Sequence, residues 1–187
     1  DPCDLAVNYG KAWAALGNLQ PLLERVLVIK KKEIEISTDC EVNTMQKIGV
    51  IGAGSWGTAN AWLLANHGHQ ITMWAHKEVT VESLQKHREN ISKLPGVKLP
   101  ENIQITADLE KTIRGQDVLV MAVPSIAVRQ TAKLMKEYVI KDQIIVNLAK
   151  GIEEKTLMTM SQIIEEEIPQ ARVTVMSGPS HAEEVGR

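Results

Sequence analysis

Residues 47–57 read Lys-Ile-Gly-Val-Ile-Gly-Ala-Gly-Ser-Trp-Gly, a short apolar run that gives way to glycines spaced G-x-G-x-x-G. Lys47 to Ile51 has the length and character of a buried strand. Each glycine after it has a separate task. Gly52 permits a tight turn out of the strand, Gly54 lets the backbone come close to a pyrophosphate, and Gly57 lets the next helix pack against the sheet. A helix is predicted over Thr58 to Asn66, closed by Gly68, and its N-terminus offers unpaired N–H groups and partial positive charge to phosphates. Gln70 to Trp74 (QITMW) reads as a second strand. The glycines thus lie between a strand and a helix with another strand following, the context in which this pattern signifies a dinucleotide site.

The same alternation continues downstream. A weaker helix is predicted over Val79 to Glu89, then a loop holding Pro95, Gly96 and Pro100. Ile103 to Thr106 reads as a third strand, with Asp108 as the cap of a short helix. Asp117 to Val123 (DVLVMAV) is nearly all apolar, as a parallel strand buried on both faces must be. Pro124-Ser125 opens a helix that places Ala127, Thr131, Leu134, Met135 and Tyr138 on one face. Gln143 to Leu148 is another buried strand, Leu157, Met160, Ile164 and Ile168 mark a further amphipathic helix, and Arg172 to Met176 is the last strand. A final helix begins near Ala182. Strand–helix units with short connections imply a doubly wound, mainly parallel α/β sheet.

Residues 1–44 read differently. Their hydrophobic stretch is interrupted by Lys30-Lys31-Lys32, and Ser37-Thr38-Asp39-Cys40 resembles a linker, so a leader or linker is expected before a domain over 45–187, with Met45 as its natural start. The 187 residues are 44% apolar and 24% charged with a formal net charge of -2, which excludes the basic footprint of a nucleic-acid or anionic-membrane partner. Cys3 and Cys40 have no partner at metal-ligand spacing, and no metal site is expected. Their scarcity suits a reducing cytosol. No apolar run reaches transmembrane length.

Two groups of charged residues stand where strands end. The second strand runs into His76-Lys77, with Glu78 beyond. An acidic residue at that corner grips the ribose 2′-hydroxyl of NAD, whereas His76 and Lys77 suit a 2′-phosphate, so NADPH is favoured and Glu78 keeps NAD as the alternative. Lys150 directly follows a buried strand, at the carboxyl edge where open α/β sheets bind ligands. It either neutralises a phosphate, polarises a carbonyl oxygen, or merely ends a strand at the surface. Gly178 and Ser180 offer a close backbone approach and a hydroxyl at the same edge. Trp56 and Trp62 read as packing residues, and His67, His69 and His87 as surface residues.

GAGSWGTA (Gly52 to Ala59), His67 to His76, VMAVPS (Val120 to Ser125), AKGIE (Ala149 to Glu153) and SGPSHAEEVG (Ser177 to Gly186) together resemble bacterial NAD(P)-dependent glycerol-3-phosphate dehydrogenase over about Met45 to Arg187. The resemblance implies a Rossmann-type domain and reduction of dihydroxyacetone phosphate to sn-glycerol 3-phosphate with NADH or NADPH. That reaction supplies phospholipid synthesis in the cytoplasm, with a homodimer among the expectations for the full-length enzyme. It implies that Ser55, Trp56, His76, Lys77, Lys150 and Ala182 contact the cofactor, and that Lys150, Gly178 and Ser180 contact the substrate. Lys93 stands before Leu94-Pro95 where relatives often carry an aromatic residue. The family's proton-donating lysine and helical C-terminal domain are expected beyond Arg187, so no catalytic residue is assigned within this chain, which is not expected to turn over alone. The alternatives are a related dehydrogenase, such as a ketopantoate reductase or a sugar-nucleotide dehydrogenase, and a non-catalytic NAD(P)H-binding module.

Overall fold

A computed structural model describes residues 45–177 and 182–185. Six parallel strands form the main sheet: β1 (Lys47–Ile51), β2 (Gln70–Trp74), β5 (Ile103–Thr106), β6 (Val118–Met121), β7 (Ile144–Asn147) and β8 (Arg172–Val175). Their spatial order is β5-β2-β1-β6-β7-β8. The chain thus winds outward from β1 in one direction through β2 and β5, then returns and winds the other way. The crevice between β1 and β6 is the point where that direction reverses. β1 is central, paired with β2 at Ile51↔Trp74 and with β6 at Ile51↔Met121. All four residues of β6 and of β7 are buried, which is why both read as unbroken apolar runs.

Helices α1 (Ser55–Asn66), α2 (Glu78–His87), α3 (Leu109–Ile113), α4 (Ser125–Met135), α5 (Met160–Glu167) and α6 (Ala182–Val185) fill the connections. One core joins Ile51, Leu119, Met121 and Ile145 of the sheet to Ile113 of α3, Val128, Ala132 and Met135 of α4, and Met160, Ile163 and Ile164 of α5. α1 is buried nearly all round, because a second layer covers its outer side. That layer is a short antiparallel hairpin, β3 (Glu89–Asn90) and β4 (Leu94–Lys98), together with α6. Leu94, Val97 and Ala182 pack on Ala59, with Trp56 and Trp62 alongside as packing residues.

Several local expectations are corrected. The loop around Pro95 and Gly96 is this hairpin, held by the ion pair of Lys98 with Glu89 at 2.7 Å and by the Gly96 N–H donating to Glu89 Oε1 at 2.9 Å. α1 begins at Ser55, inside the glycine pattern, and α2 ends at His87, with Arg88 as its C-cap in the left-handed conformation, φ 47°. On α4 the inward face carries Val128, Thr131, Ala132 and Met135, while Leu134 is 47% exposed. Leu157 lies outside α5, 77% exposed with φ 57°. Thr159 starts that helix instead, through a reciprocal capping box with Gln162. His69 is buried rather than on the surface. Its Nδ1 accepts the Gln46 N–H at 3.3 Å, and burial, with His67 nearby, lowers its pKa. Asp108 caps α3 as expected, accepting the Lys111 N–H at 3.0 Å.

Candidate dinucleotide-binding site

The carboxyl edge of the sheet is built by ladder bonds that run one residue past the strands. The Gly52 N–H donates to Trp74 O at 3.1 Å, Ala122 N–H to Ile51 O at 2.9 Å, and Leu148 N–H to Met121 O at 2.9 Å. These bonds fix the first residue of each connecting turn relative to its neighbours. Gly52 has φ 117°, and a Cβ there would lie 2.8 Å from the Ala122 carbonyl oxygen, so only glycine lets β1 turn so close to β6. A Cβ on Gly57 would collide with the Gly52 carbonyl oxygen, since the helix folds back onto its own turn. Gly54 differs from both: an added Cβ would meet no atom within 4 Å.

The N-terminus of α1 is bare. Gly54 is its N-cap, no side-chain hydrogen bond caps it, and no acidic residue lies in its first turn. By contrast, α3 and α5 are capped by Asp108 and Thr159, and α2 carries Glu78 in its first turn; α4 also starts uncapped, after Pro124, so what sets α1 apart is the glycine turn that leads into it. An uncapped helix start with open space over its N-cap glycine is an anion-binding arrangement. A diphosphate fits this cradle.

His76 and Lys77 are exposed in the turn from β2 to α2, one inter-strand step from Gly52. The His76 ring meets the edge of Trp74, with centroids 5.7 Å apart, and the Trp74 Nε1–H donates to Ala107 O at 2.9 Å. Lys77 is the N-cap of α2, and its carbonyl accepts the Thr80 N–H at 2.9 Å. Lys150 lies on the other side, exposed after β7 and two steps from β1, or about 10 Å at ordinary strand spacing. The expected residues Gly52, Gly54, Ser55, Trp56, Gly57, His76, Lys77 and Lys150 therefore share one edge. Ala182 is buried against α1 beside Trp56. Gly178 and Ser180 lie outside the described residues.

Contacts that the sequence does not signal hold the Lys150 loop. Buried Asn147 closes it locally: its Oδ1 accepts the Ala149 N–H at 2.9 Å, and its amide donates to Ala149 O at 3.3 Å and to Ser161 Oγ at 3.4 Å. Gly151, with φ 139°, passes so near α4 that a Cβ would lie 3.2 Å from Ser125 Cβ. Beyond it, Glu153 receives the Arg129 guanidinium as a two-pronged pair, both contacts at 2.7 Å. Arg129 also reaches Glu166 at 2.7 Å and Glu167 at 2.5 Å on α5. The glutamate of AKGIE is thus a structural anchor between loop and helix.

Those hydrogen bonds from Arg129, with one from Thr156, hold the Glu153 carboxyl down at about 2. The folded pKa is depressed, so the stabilisation is complete above the unfolded value near 4.5 and is lost as pH falls toward 2. Glu153→Gln is accordingly expected to melt below the wild type at pH 7. The gap should close between about pH 4.5 and 2, read from melting temperature against pH. A gap that persists unchanged at pH 2 contradicts this.

Among the described residues no group of three or more His, Cys, Asp or Glu is placed to hold a metal, and no helix is long and apolar enough to cross a membrane. Residues 47–187 match the family described as NAD-dependent glycerol-3-phosphate dehydrogenase N-terminus. A glycerol-3-phosphate dehydrogenase [NAD(P)+] of Agathobacter rectalis is 57% identical over 143 residues, covering 76% of this chain and 43% of that protein. The corresponding protein of Fusobacterium nucleatum is 50% identical over 145 residues, with the same coverages. The crystal structure of glycerol-3-phosphate dehydrogenase from Coxiella burnetii superposes with a TM-score of 0.72 at 30% identity, over 76% of this chain and 43% of that one. The chain spans about 43% of the length of the curated relatives it matches. With the glycine turn opening the bare start of α1, the reversal of winding at β1 and the family match over residues 47–187, the chain belongs to the NAD-dependent glycerol-3-phosphate dehydrogenase family and corresponds to its N-terminal part.

Proposed function

We propose that this chain binds NAD(P)H, with NADPH preferred, as the cofactor-binding part of an enzyme that reduces dihydroxyacetone phosphate to sn-glycerol 3-phosphate. The observation that carries the reading is the uncapped start of α1 over the open face of Gly54, in a chain of this family. Gly52, Gly54, Ser55, Trp56 and Gly57 hold the diphosphate. His76 and Lys77 receive the 2′-phosphate one strand away, and Glu78 is the residue that would favour NADH instead. Lys150 faces the reacting end of the site, where its ammonium neutralises phosphate or polarises the substrate carbonyl. By the family resemblance, Gly178 and Ser180 contact the substrate and Ala182 the cofactor. The cofactor, when bound, supplies the hydride for carbonyl reduction.

Titration of the purified chain with NADPH and with NADH, followed by tryptophan fluorescence, tests this. Saturable binding is expected, about ten-fold tighter for NADPH, the worth of a charge-assisted contact to the 2′-phosphate. Lys77→Ala should remove most of that preference, and Lys150→Ala should weaken both cofactors by about ten-fold. Equal affinities would remove the NADPH assignment and leave NAD(P) binding standing. No binding of either cofactor to the folded chain would overturn the reading.

A further inference from the structure

The phosphate loop is gripped from outside the main sheet. Asn90 lies at the end of β3 and is 4% exposed. Its Nδ2 donates twice: to the Ala53 carbonyl at 3.0 Å and to Thr58 Oγ1 at 2.8 Å. Ala53 is the second residue of the glycine turn, and Thr58, wholly buried, closes the first turn of α1 through its N–H to Gly54 O at 2.9 Å. One amide therefore ties the two ends of the stretch that forms the diphosphate cradle. The other side of Asn90 is also fixed. Its Oδ1 accepts the Ser92 hydroxyl at 3.4 Å, its carbonyl accepts the Lys93 N–H at 3.1 Å, and Leu94 opposite it packs on Ala59 of α1. The clamp is rigid because the hairpin that carries it is packed on the helix whose start it holds.

We propose that Asn90 is a positioning residue for dinucleotide binding: it sets the backbone of the Gly52–Gly57 turn so that the bare α1 N-terminus meets the diphosphate without reorganising. The reading rests on the dinucleotide function proposed above. The side-chain chemistry matters at this position. A primary amide supplies two N–H donors, and both acceptors here are oxygens in a buried setting. A carboxylate there opposes the Ala53 carbonyl and supplies no donor, whereas a protonated carboxyl regains one. Burial raises the pKa of such a carboxyl, so its protonation falls within a workable range.

The test uses ADP-ribose, which carries the diphosphate without the nicotinamide, on the wild type, Asn90→Asp and Thr58→Val, with melting temperatures measured alongside. Wild-type affinity is expected to change little between pH 8 and pH 5. Asn90→Asp is expected to bind about ten-fold or more weakly at pH 8 and to recover part of the loss toward pH 5. Thr58→Val keeps the shape and the Ala53 anchor while removing one acceptor, so its loss should be smaller. A merely structural role would lower melting temperature without giving the Asp variant this pH-dependent recovery. Asn90→Asp binding as the wild type does at pH 8 overturns the proposal. If that variant does not fold, Thr58→Val binding at full affinity overturns it as well. A wild type that binds no ADP-ribose fails the dinucleotide reading itself, a result distinct from either.

Discussion

Gly54→Asp is expected to abolish dinucleotide binding while leaving the protein at least as stable as it is now. The backbone of Gly54 is extended, with φ -75° and ψ -179°, a conformation that any residue adopts, and a Cβ there touches nothing within 4 Å. The substitution thus carries no steric cost. Gly54 is also the N-cap of α1, and aspartate at an N-cap accepts the N–H groups that open a helix. The gain over glycine is a few tenths of a kcal/mol, with about 0.3–1 kcal/mol more from the helix dipole. At about 2–4 °C per kcal/mol, the melting temperature should hold or rise slightly. The same carboxylate occupies the donors that a diphosphate needs and places negative charge beside it. Losing one or two charge-assisted hydrogen bonds and adding that repulsion weakens binding by about a hundred-fold or more. NADPH titration beside a melting curve checks both halves. Tight NADPH binding by this variant would mean that the diphosphate does not rest on α1.

The contrast between this glycine and its neighbours explains what was legible in the sequence. Strand positions were readable because a strand buried on both faces leaves an unbroken apolar run, as in β6 and β7. The glycine turn was readable because its three glycines stand at a set spacing: Gly52 takes a positive φ, Gly57 has no room for a Cβ, and Gly54 leaves its face open. The β3–β4 hairpin was not readable. Pro95 and Gly96 signal a loop, Glu89-Asn90 carries no strand preference, and the pairing is held by tertiary packing of Leu94 and Val97 on α1 together with the bonds from Lys98 and Gly96 to Glu89. Leu157 fits the spacing of the α5 face, but the capping box at Thr159 and Gln162 decides where that helix starts. The supports of the site were hidden for a related reason. Asn90 reaches partners 32 and 37 positions away, and Arg129 meets glutamates 24 to 38 positions away. Single polar residues acting over such separations leave no periodic trace.

Gly49→Ala is expected to cause a large loss of stability for a single added methyl group. Gly49 is the middle residue of β1, paired with Thr72 on one side and Leu119 on the other. A Cβ there would overlap the Thr112 backbone carbonyl of α3 and come within 2.9 Å of Leu119 Cδ2. A side-chain tip can rotate away, but a helix carbonyl moves only with its helix. α3 is not free to retreat. Asp108 caps it, Ile113 is fully buried in the core, and the segment after it is tied to β1 by Asp117, whose N–H donates to Lys47 O at 2.7 Å and whose Oδ2 accepts the Lys47 N–H at 2.9 Å. Overpacking against movable side chains costs about 1–3 kcal/mol, and a backbone obstacle puts this site at the upper end or beyond. A fall in melting temperature of about 6–12 °C follows from roughly 3 kcal/mol at 2–4 °C per kcal/mol. The G-x-G-x-x-G pattern gives no reason for glycine here, so the loss would trace to helix–sheet contact and not to the glycine turn. At a temperature where the variant is folded, its NADPH affinity should stay within a few-fold of the wild type. A melting temperature within about 2 °C of the wild type would show that α3 can yield after all.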